Sequence, residues 1–174
     1  MIEVEIKAPI KDIGALKRRL EELGTQFIAE EDERDVYFNA PHCDFAKTDE
    51  ALRIRSSKDI TLTYKGPKLD KVSKTRKEIT VPVADAERAM AMLKALGFEE
   101  VATVIKRRQV YRLHDLTISI DDVQGLGTYM EIEAIVAHKE YQPALNRIFE
   151  ILRKLGMRKE DTIRESYLEL ILRR

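Results

Sequence analysis

The sequence predicts an α+β fold, in which helices cover a closed or nearly closed antiparallel β-barrel of about eight strands. Three observations predict it. Several short segments alternate between charged and apolar residues, as Glu3-Val4-Glu5-Ile6-Lys7 does, short polar links join some of them, and a strand followed by an amphipathic helix occurs three times. Because successive side chains of a strand point to opposite faces, each alternating segment has one charged face and one apolar face.

The strands follow from this alternation and from the links between them. Links of two or three residues, at 57–59 and 114–115, favour hairpins and therefore antiparallel neighbours. A sheet of about eight strands usually curls or closes. The predicted strands are 2–8, 34–39, 51–56, 60–65, 74–83, 104–113, 116–121 and 129–136.

Three of the strands are each followed by a predicted helix that stops at a Leu-Gly pair. Glycine just after a helix readily adopts the left-handed conformation that commonly ends one. Apolar residues recur in each helix at intervals of three or four, so each helix has one apolar face and should cover a sheet. The predicted helices run from Lys11 to Leu23, from the N-cap Asp85 to Leu96, and from Pro143 to Leu155.

If the helices cover the apolar face of the sheet, the charged face lies elsewhere. In an open sheet it would be a solvated surface, and in a closed barrel it would line a lumen. For a single pair such as Glu131 and Glu133, a solvated face with cross-strand ion pairs is the commoner arrangement. The pattern recurs across many strands with both signs of charge, and we therefore favour a lumen that surrounds one small ligand.

The composition limits the classes of function. At 174 residues the chain suits a single domain over 1–174, and its 31 basic and 31 acidic residues give no broad basic surface for nucleic acid. No apolar run approaches the roughly 18 residues of a membrane span. A lone Cys43 fits a reducing compartment. We therefore expect a cytoplasmic protein that binds neither membrane nor nucleic acid.

The charged face offers ligands of two kinds. Arginine and lysine bind phosphate oxygens, arginine in a bidentate manner, whereas carboxylates bind divalent metals together with substrate phosphates. The two together suit a triphosphate with its metal. The cations are Lys7, Arg53, Arg55, Lys65, Arg76, Lys106 and Arg108, and the acids include Glu3, Glu5, Asp121, Glu131 and Glu133.

Several motifs stand in the order found in one known family. Glu3-Val4-Glu5-Ile6-Lys7 matches an E-x-E-x-K signature, and the match continues through Leu52-Arg53-Ile54-Arg55, Lys106-Arg107-Arg108 and the segment 125–133. Over essentially the whole chain the sequence resembles the CYTH superfamily of triphosphate tunnel metalloenzymes. Gly125-Leu126-Gly127 and the tail at 166–170 are most similar to its class IV adenylyl cyclase branch.

The resemblance implies an eight-stranded tunnel that binds a triphosphate with Mg²⁺ or Mn²⁺. It implies metal binding by Glu3, Glu5, Glu131 and Glu133, and phosphate binding by Lys7, Arg53, Arg55, Lys65, Lys106 and Arg108, with Arg76 a weaker match. Asp121 resembles a further acidic site residue. We take Glu5, Lys7 and Asp121 as the candidate catalytic residues.

The shared signature leaves the reaction open. The first possibility is cyclisation of ATP to cyclic AMP and pyrophosphate, as in the class IV cyclases. The alternatives are hydrolysis of inorganic tripolyphosphate or thiamine triphosphate, and a sensor that binds a triphosphate without turnover. Two structural questions are also open: the basic segment 66–74 is either a lid or a plain hairpin loop, and a homodimer is possible.

Overall fold

The structure, a computed structural model, describes residues 2–68 and 76–174 and confirms the closed barrel. Every neighbouring pair of strands is antiparallel, and the order around the barrel is β1-β5-β4-β3-β2-β6-β7-β8. The strands are β1 (Ile2–Pro9), β2 (Gln26–Asn39), β3 (Ala51–Ser56), β4 (Ile60–Lys68), β5 (Arg76–Pro82), β6 (Glu99–Leu113), β7 (Leu116–Val123) and β8 (Gly127–Val136).

Two strands begin five or more residues before the predicted start. β2 begins at residue 26 and not at 34, and β6 begins at 99 and not at 104. In the part of β2 before residue 34, the apolar residues 27–29 are followed by four consecutive acids at 30–33. One of these acids, Asp32, forms an ion pair with Arg107 of β6 on the outer face, with 3.1 Å between Oδ1 and Nε. Neither stretch alternates, so the pattern does not reveal this part of the strand.

One predicted strand and one predicted loop fall partly outside the described residues. The strand predicted at 74–83 is observed as β5 from residue 76 onward. In the segment predicted as a lid or a loop, residues 66–68 extend β4, and the remainder lies outside the described residues. The prediction of a lid therefore stays a prediction.

The helices confirm the three predicted helical segments and add two short ones. Asp12 and Asp85 act as N-caps, each accepting a hydrogen bond from a backbone N–H three residues on. Gly24, Gly97 and Gly156 follow the three long helices with φ of 72°, 88° and 81°, which is the left-handed ending that the sequence predicts. The helices are α1 (Ile13–Glu22), α2 (Phe45–Thr48), α3 (Ala86–Ala95), α4 (Tyr141–Lys154) and α5 (Tyr167–Leu172), with 3₁₀ turns at His138–Glu140 and Lys159–Asp161.

The helices cover two separate parts of the barrel's outer face. α1 and α4 pack on β1, β7 and β8, with Leu20 and Ile148 fully buried. α3 packs on β2 and β3 beside Phe38. The outer face of β5 is not buried in this way. Its apolar residues Ile79 and Val81 are 51% and 46% exposed. Thus the apolar face of β5 is left largely uncovered.

α5 was not predicted as a helix, and it lies across one mouth of the barrel. Ser166 caps it by accepting a hydrogen bond from the backbone N–H of Glu169, whose side chain accepts one from the backbone of Ser166 in return. Tyr167 is buried against Tyr37 and Val104 from the barrel wall. In the described part of the chain, no helix has the length and apolar character needed to cross a membrane.

Candidate active site

The charged faces of the strands line a cavity of about 530 Å³ inside the barrel. The sequence therefore assigns the inward face correctly, and the alternative of a solvated outer surface is not what the structure shows. Of the predicted site residues, only Asp121 is not part of the lining that the structure describes. The others all line it: Glu3, Glu5, Lys7, Arg53, Arg55, Lys65, Arg76, Lys106, Arg108, Glu131 and Glu133.

Carboxylates gather on the wall formed by β1 and β8. Glu5 and Glu133 lie directly opposite each other in the pairing of these strands. Burial, together with the nearby charges of Glu78, Glu5 and Glu133, raises the pKa of Glu3 to about 8. Burial, with Glu5 and Glu131 nearby, raises the pKa of Glu133 to about 7. The wall therefore holds crowded negative charge, which a cation would relieve.

The donor set of this wall fits a divalent cation. Within residues 2–68 and 76–174, no three histidine, cysteine or carboxylate side chains already converge as a complete metal site. Magnesium, however, needs only one or two carboxylates, since phosphates and water supply its other ligands. Glu3, Glu5 and Glu133 are buried or half-buried oxygen donors close enough to affect one another's charge.

The raised pKa values predict how stability depends on pH. A carboxyl group with a pKa of about 8 or about 7 in the folded chain, and about 4.5 when unfolded, binds more protons when folded between those values. We therefore expect the free energy of unfolding to fall as the pH rises from about 4.5 to about 8. Urea unfolding across this range measures it, and Glu3→Gln should flatten the slope. A free energy of unfolding that rises over this range would contradict the assignment.

A cluster of cations occupies the opposite wall, around Asp35 of β2. Arg55 donates to both oxygens of Asp35, from Nε at 2.7 Å and from Nη2 at 2.8 Å. Lys106 Nζ lies 3.2 Å and Arg53 Nη1 3.6 Å from Asp35 Oδ2. Glu33 adds a second carboxylate, with Oε2 at 2.9 Å from Lys106 Nζ. Although burial opposes ionisation, Arg53, Arg55 and Lys106 hold the pKa of Asp35 well below its usual range.

Arg53 is the cation of this cluster whose hydrogen bonds are incomplete among the described residues. Its Nε is buried and, in the described structure, has no hydrogen-bond acceptor. A buried donor without an acceptor costs about 1–3 kcal/mol, more where the group is charged. Arg53 also lines the cavity. A phosphate oxygen in the cavity would suit the charge of this guanidinium.

Arg108 and Asp121 form a second paired group beside the cavity. Arg108 donates from Nε and Nη2 to the two oxygens of Asp121, both at 2.6 Å, and Tyr167 Oη donates to Asp121 at 2.7 Å. Arg108 Nη2 also contacts Glu131. Asp121 is fully buried and does not belong to the cavity lining that the structure describes. Asp121 thus fixes Arg108 and α5, and a direct role in the reaction stays a prediction.

Lys7 lies at the end of the cavity that α5 covers. Its Nζ is 3.1 Å from Glu131 Oε1 and 3.4 Å from the centre of the Tyr167 ring, and it donates to the carbonyl oxygen of Glu165 at 3.4 Å. The side chain is fully buried. Lys7 therefore sits between the carboxylate wall and α5, where it faces the lumen with a fixed orientation.

The remaining predicted cations are Lys65 of β4 and Arg76 of β5. Lys65 forms an ion pair with Glu78 across β4 and β5. Arg76 is buried. Its Nη2 lies 3.6 Å from Asp49 Oδ1, and its Nη1 donates to the carbonyl oxygen of Asp49 at 3.4 Å. Both cations line the cavity, but each already has a carboxylate partner.

Sequence reasoning missed three residues that shape the site. Glu33 and Asp35 were not proposed as site residues, and Tyr167 was included only in the tail at 166–170 that resembles the cyclase branch. Asp35 lies two positions from Tyr37 on the same strand face, so the alternation does place it inward. No sequence signal shows that α5 brings Tyr167 back to Asp121, 46 positions earlier.

The fold and this cavity define a class of protein, the closed antiparallel barrels with a charged internal tunnel. The CYTH domain model matches residues 1–167, and the chain belongs to the CYTH family. A Methanocaldococcus jannaschii protein named putative adenylate cyclase is 46% identical over 98% of both chains. Adenylate cyclase CyaB of Aeromonas hydrophila is 26% identical over 97% of this chain and 87% of its own.

A solved structure shows the same fold. A protein of Pyrococcus horikoshii OT3 superimposes with a TM-score of 0.91, at 41% identity and covering 98% of each chain. The superposition covers nearly the whole chain, so the barrel and its helices correspond between the two proteins. The resemblance on which the sequence prediction depended is therefore confirmed at the level of family and fold.

Proposed function

We propose that this protein is a divalent-metal-dependent enzyme that acts on a triphosphate inside the barrel, in the manner of a class IV adenylyl cyclase. The observation that carries the proposal is that one group of lumen carboxylates lies across the barrel from one pair of lumen arginines. The neighbouring strands β1 and β8 carry the carboxylates Glu3, Glu5, Glu131 and Glu133. Strand β3 lies on the far side of the barrel and carries Arg53 and Arg55.

The cationic wall suits the phosphate chain. Arg53, Arg55 and Lys106 line one side of the cavity, and Arg108 lines the next part of the same side. Arginine forks bind phosphate oxygens with two parallel hydrogen bonds, and these gain strength in a site shielded from water. In both proposed reactions they stabilise the negative charge that develops on the departing phosphates.

The carboxylate wall suits Mg²⁺ or Mn²⁺. Glu3, Glu5, Glu131 and Glu133 would hold the ion between this wall and the phosphates. When bound, such an ion neutralises phosphate charge and lowers the pKa of the attacking hydroxyl or water. The residues' own part is to fix the position of the charges on either side of the substrate.

The names of the relatives favour cyclisation. Both the M. jannaschii and the A. hydrophila proteins are named as adenylate cyclases, the first as a putative one. In this reaction the ribose 3′ hydroxyl attacks the α-phosphorus and pyrophosphate leaves. The second candidate is a triphosphatase, in which water attacks the terminal phosphorus. It is supported by a cavity whose described lining is rich in the charged residues that suit phosphates.

Product analysis tests the proposal. ATP, thiamine triphosphate and tripolyphosphate are offered in parallel with Mg²⁺ or Mn²⁺, and products are separated by chromatography. We expect cyclic AMP and pyrophosphate from ATP. Phosphate release without a cyclic product would assign the protein to the triphosphatases. Binding without turnover of any of the three would contradict the enzyme and leave a sensor.

A further inference from the structure

Asp35 is the buried centre of the cationic wall. It is 1% exposed and does not belong to the cavity lining that the structure describes, whereas Arg53, Arg55 and Lys106 do. Its carboxylate contacts all three cations, the closest being Arg55 Nε at 2.7 Å. A ligand in the cavity would therefore touch the three cations and not Asp35.

We infer that Asp35 is a positioning residue, which holds Arg53, Arg55 and Lys106 as one preorganised phosphate-binding group. This inference rests on the proposed function. Asp35 accepts hydrogen bonds from Nε and Nη2 of Arg55, and its Oδ2 lies 3.6 Å from Nη1 of Arg53. Three cations that repel one another are kept in place by the carboxylate behind them.

A role for Asp35 in charge balance alone predicts a different change in affinity. If Asp35 only balanced charge, its removal would add one positive charge to the wall and strengthen the binding of a polyanion. If Asp35 positions the cations, its removal lets them move apart and weakens the binding in spite of the added charge. The sign of the change in affinity separates the two roles.

The test is a calorimetric titration of tripolyphosphate into the wild-type chain, Asp35→Asn and Asp32→Asn. Asp32 is the matched control, since it pairs with Arg107 on the outer face of the same two strands. We expect Asp35→Asn to bind tripolyphosphate about tenfold more weakly, because about that much affinity is lost with one well-placed charged hydrogen bond. We expect Asp32→Asn to bind it as the wild type does.

The binding stoichiometry distinguishes a partly unfolded sample from a folded variant with displaced cations. A partly unfolded sample binds fewer equivalents with unchanged affinity, whereas displaced cations weaken the affinity at one equivalent. Should Asp35→Asn not fold, Asp35→Glu keeps the charge, moves it by one methylene and should also bind more weakly. Unchanged or tighter binding by the folded variant would overturn this inference alone. No binding by the wild type would overturn the proposed function and this inference with it.

Discussion

Glu5→Gln should lower turnover by about 10²-fold or more and leave the barrel folded. Glu5 is buried on the carboxylate wall, opposite Glu133, and in the proposed function it holds the metal. The amide has the same shape but lacks the charge, so the ion would be held less well and several kcal/mol of transition-state stabilisation would be lost. The initial rate of product release at saturating Mg²⁺ measures the effect.

The fold should tolerate this change. Removing one of several crowded carboxylates relieves repulsion, because Glu5 contributes to the raised pKa of both Glu3 and Glu133. Thermal unfolding of Glu5→Gln should therefore match or exceed that of the wild type. Glu150→Gln, which changes an exposed ion pair on α4, is the control for loss of a glutamate. Unchanged turnover in Glu5→Gln would contradict the metal assignment.

Arg108→Met should destabilise the barrel by about 3–5 kcal/mol, the usual cost of removing one partner of a buried ion pair. Arg108 is the bidentate partner of Asp121, which is fully buried, and it also contacts Glu131. Methionine would fill much of the space but leave both carboxylates without the guanidinium. Urea unfolding of the substrate-free chain measures the loss.

The neighbouring residue offers a matched control. Arg107 lies on the outer face of the same strand, 62% exposed, and its ion pair with Asp32 is also exposed. Exposed ion pairs contribute little to stability, so Arg107→Met should change the unfolding curve hardly at all. Equal effects of the two substitutions would show that the pairing of Arg108 with Asp121 does not support the barrel.

Much of the barrel could be predicted because most of its strands alternate cleanly. Glu5 and Arg53 point inward between apolar residues that point outward, so the inward face is readable from the sequence. The start of β2 was missed because residues 26–33, an apolar stretch followed by four acids, do not alternate. Asp35 lies in the strand predicted at 34–39, but its contacts with three cations became visible only in the structure.

Long-range contacts account for what else the sequence could not predict. Tyr167 contacts Asp121 and Lys7, and no local pattern links these three positions. The exposure of Ile79 and Val81 depends on where α3 packs, which periodicity does not specify. The family resemblance supplied the assignment of the acids to metal and of the basic residues to phosphate. The charges alone are also compatible with ion pairs between the walls.

The central claim is that the lumen binds a triphosphate between a cationic wall and a metal-binding wall. Calorimetric titration of the wild-type chain with tripolyphosphate, with and without Mg²⁺, tests it most directly. The account predicts one equivalent bound per chain, with tighter binding when Mg²⁺ is present. No binding under either condition, or binding that Mg²⁺ does not strengthen, would contradict it.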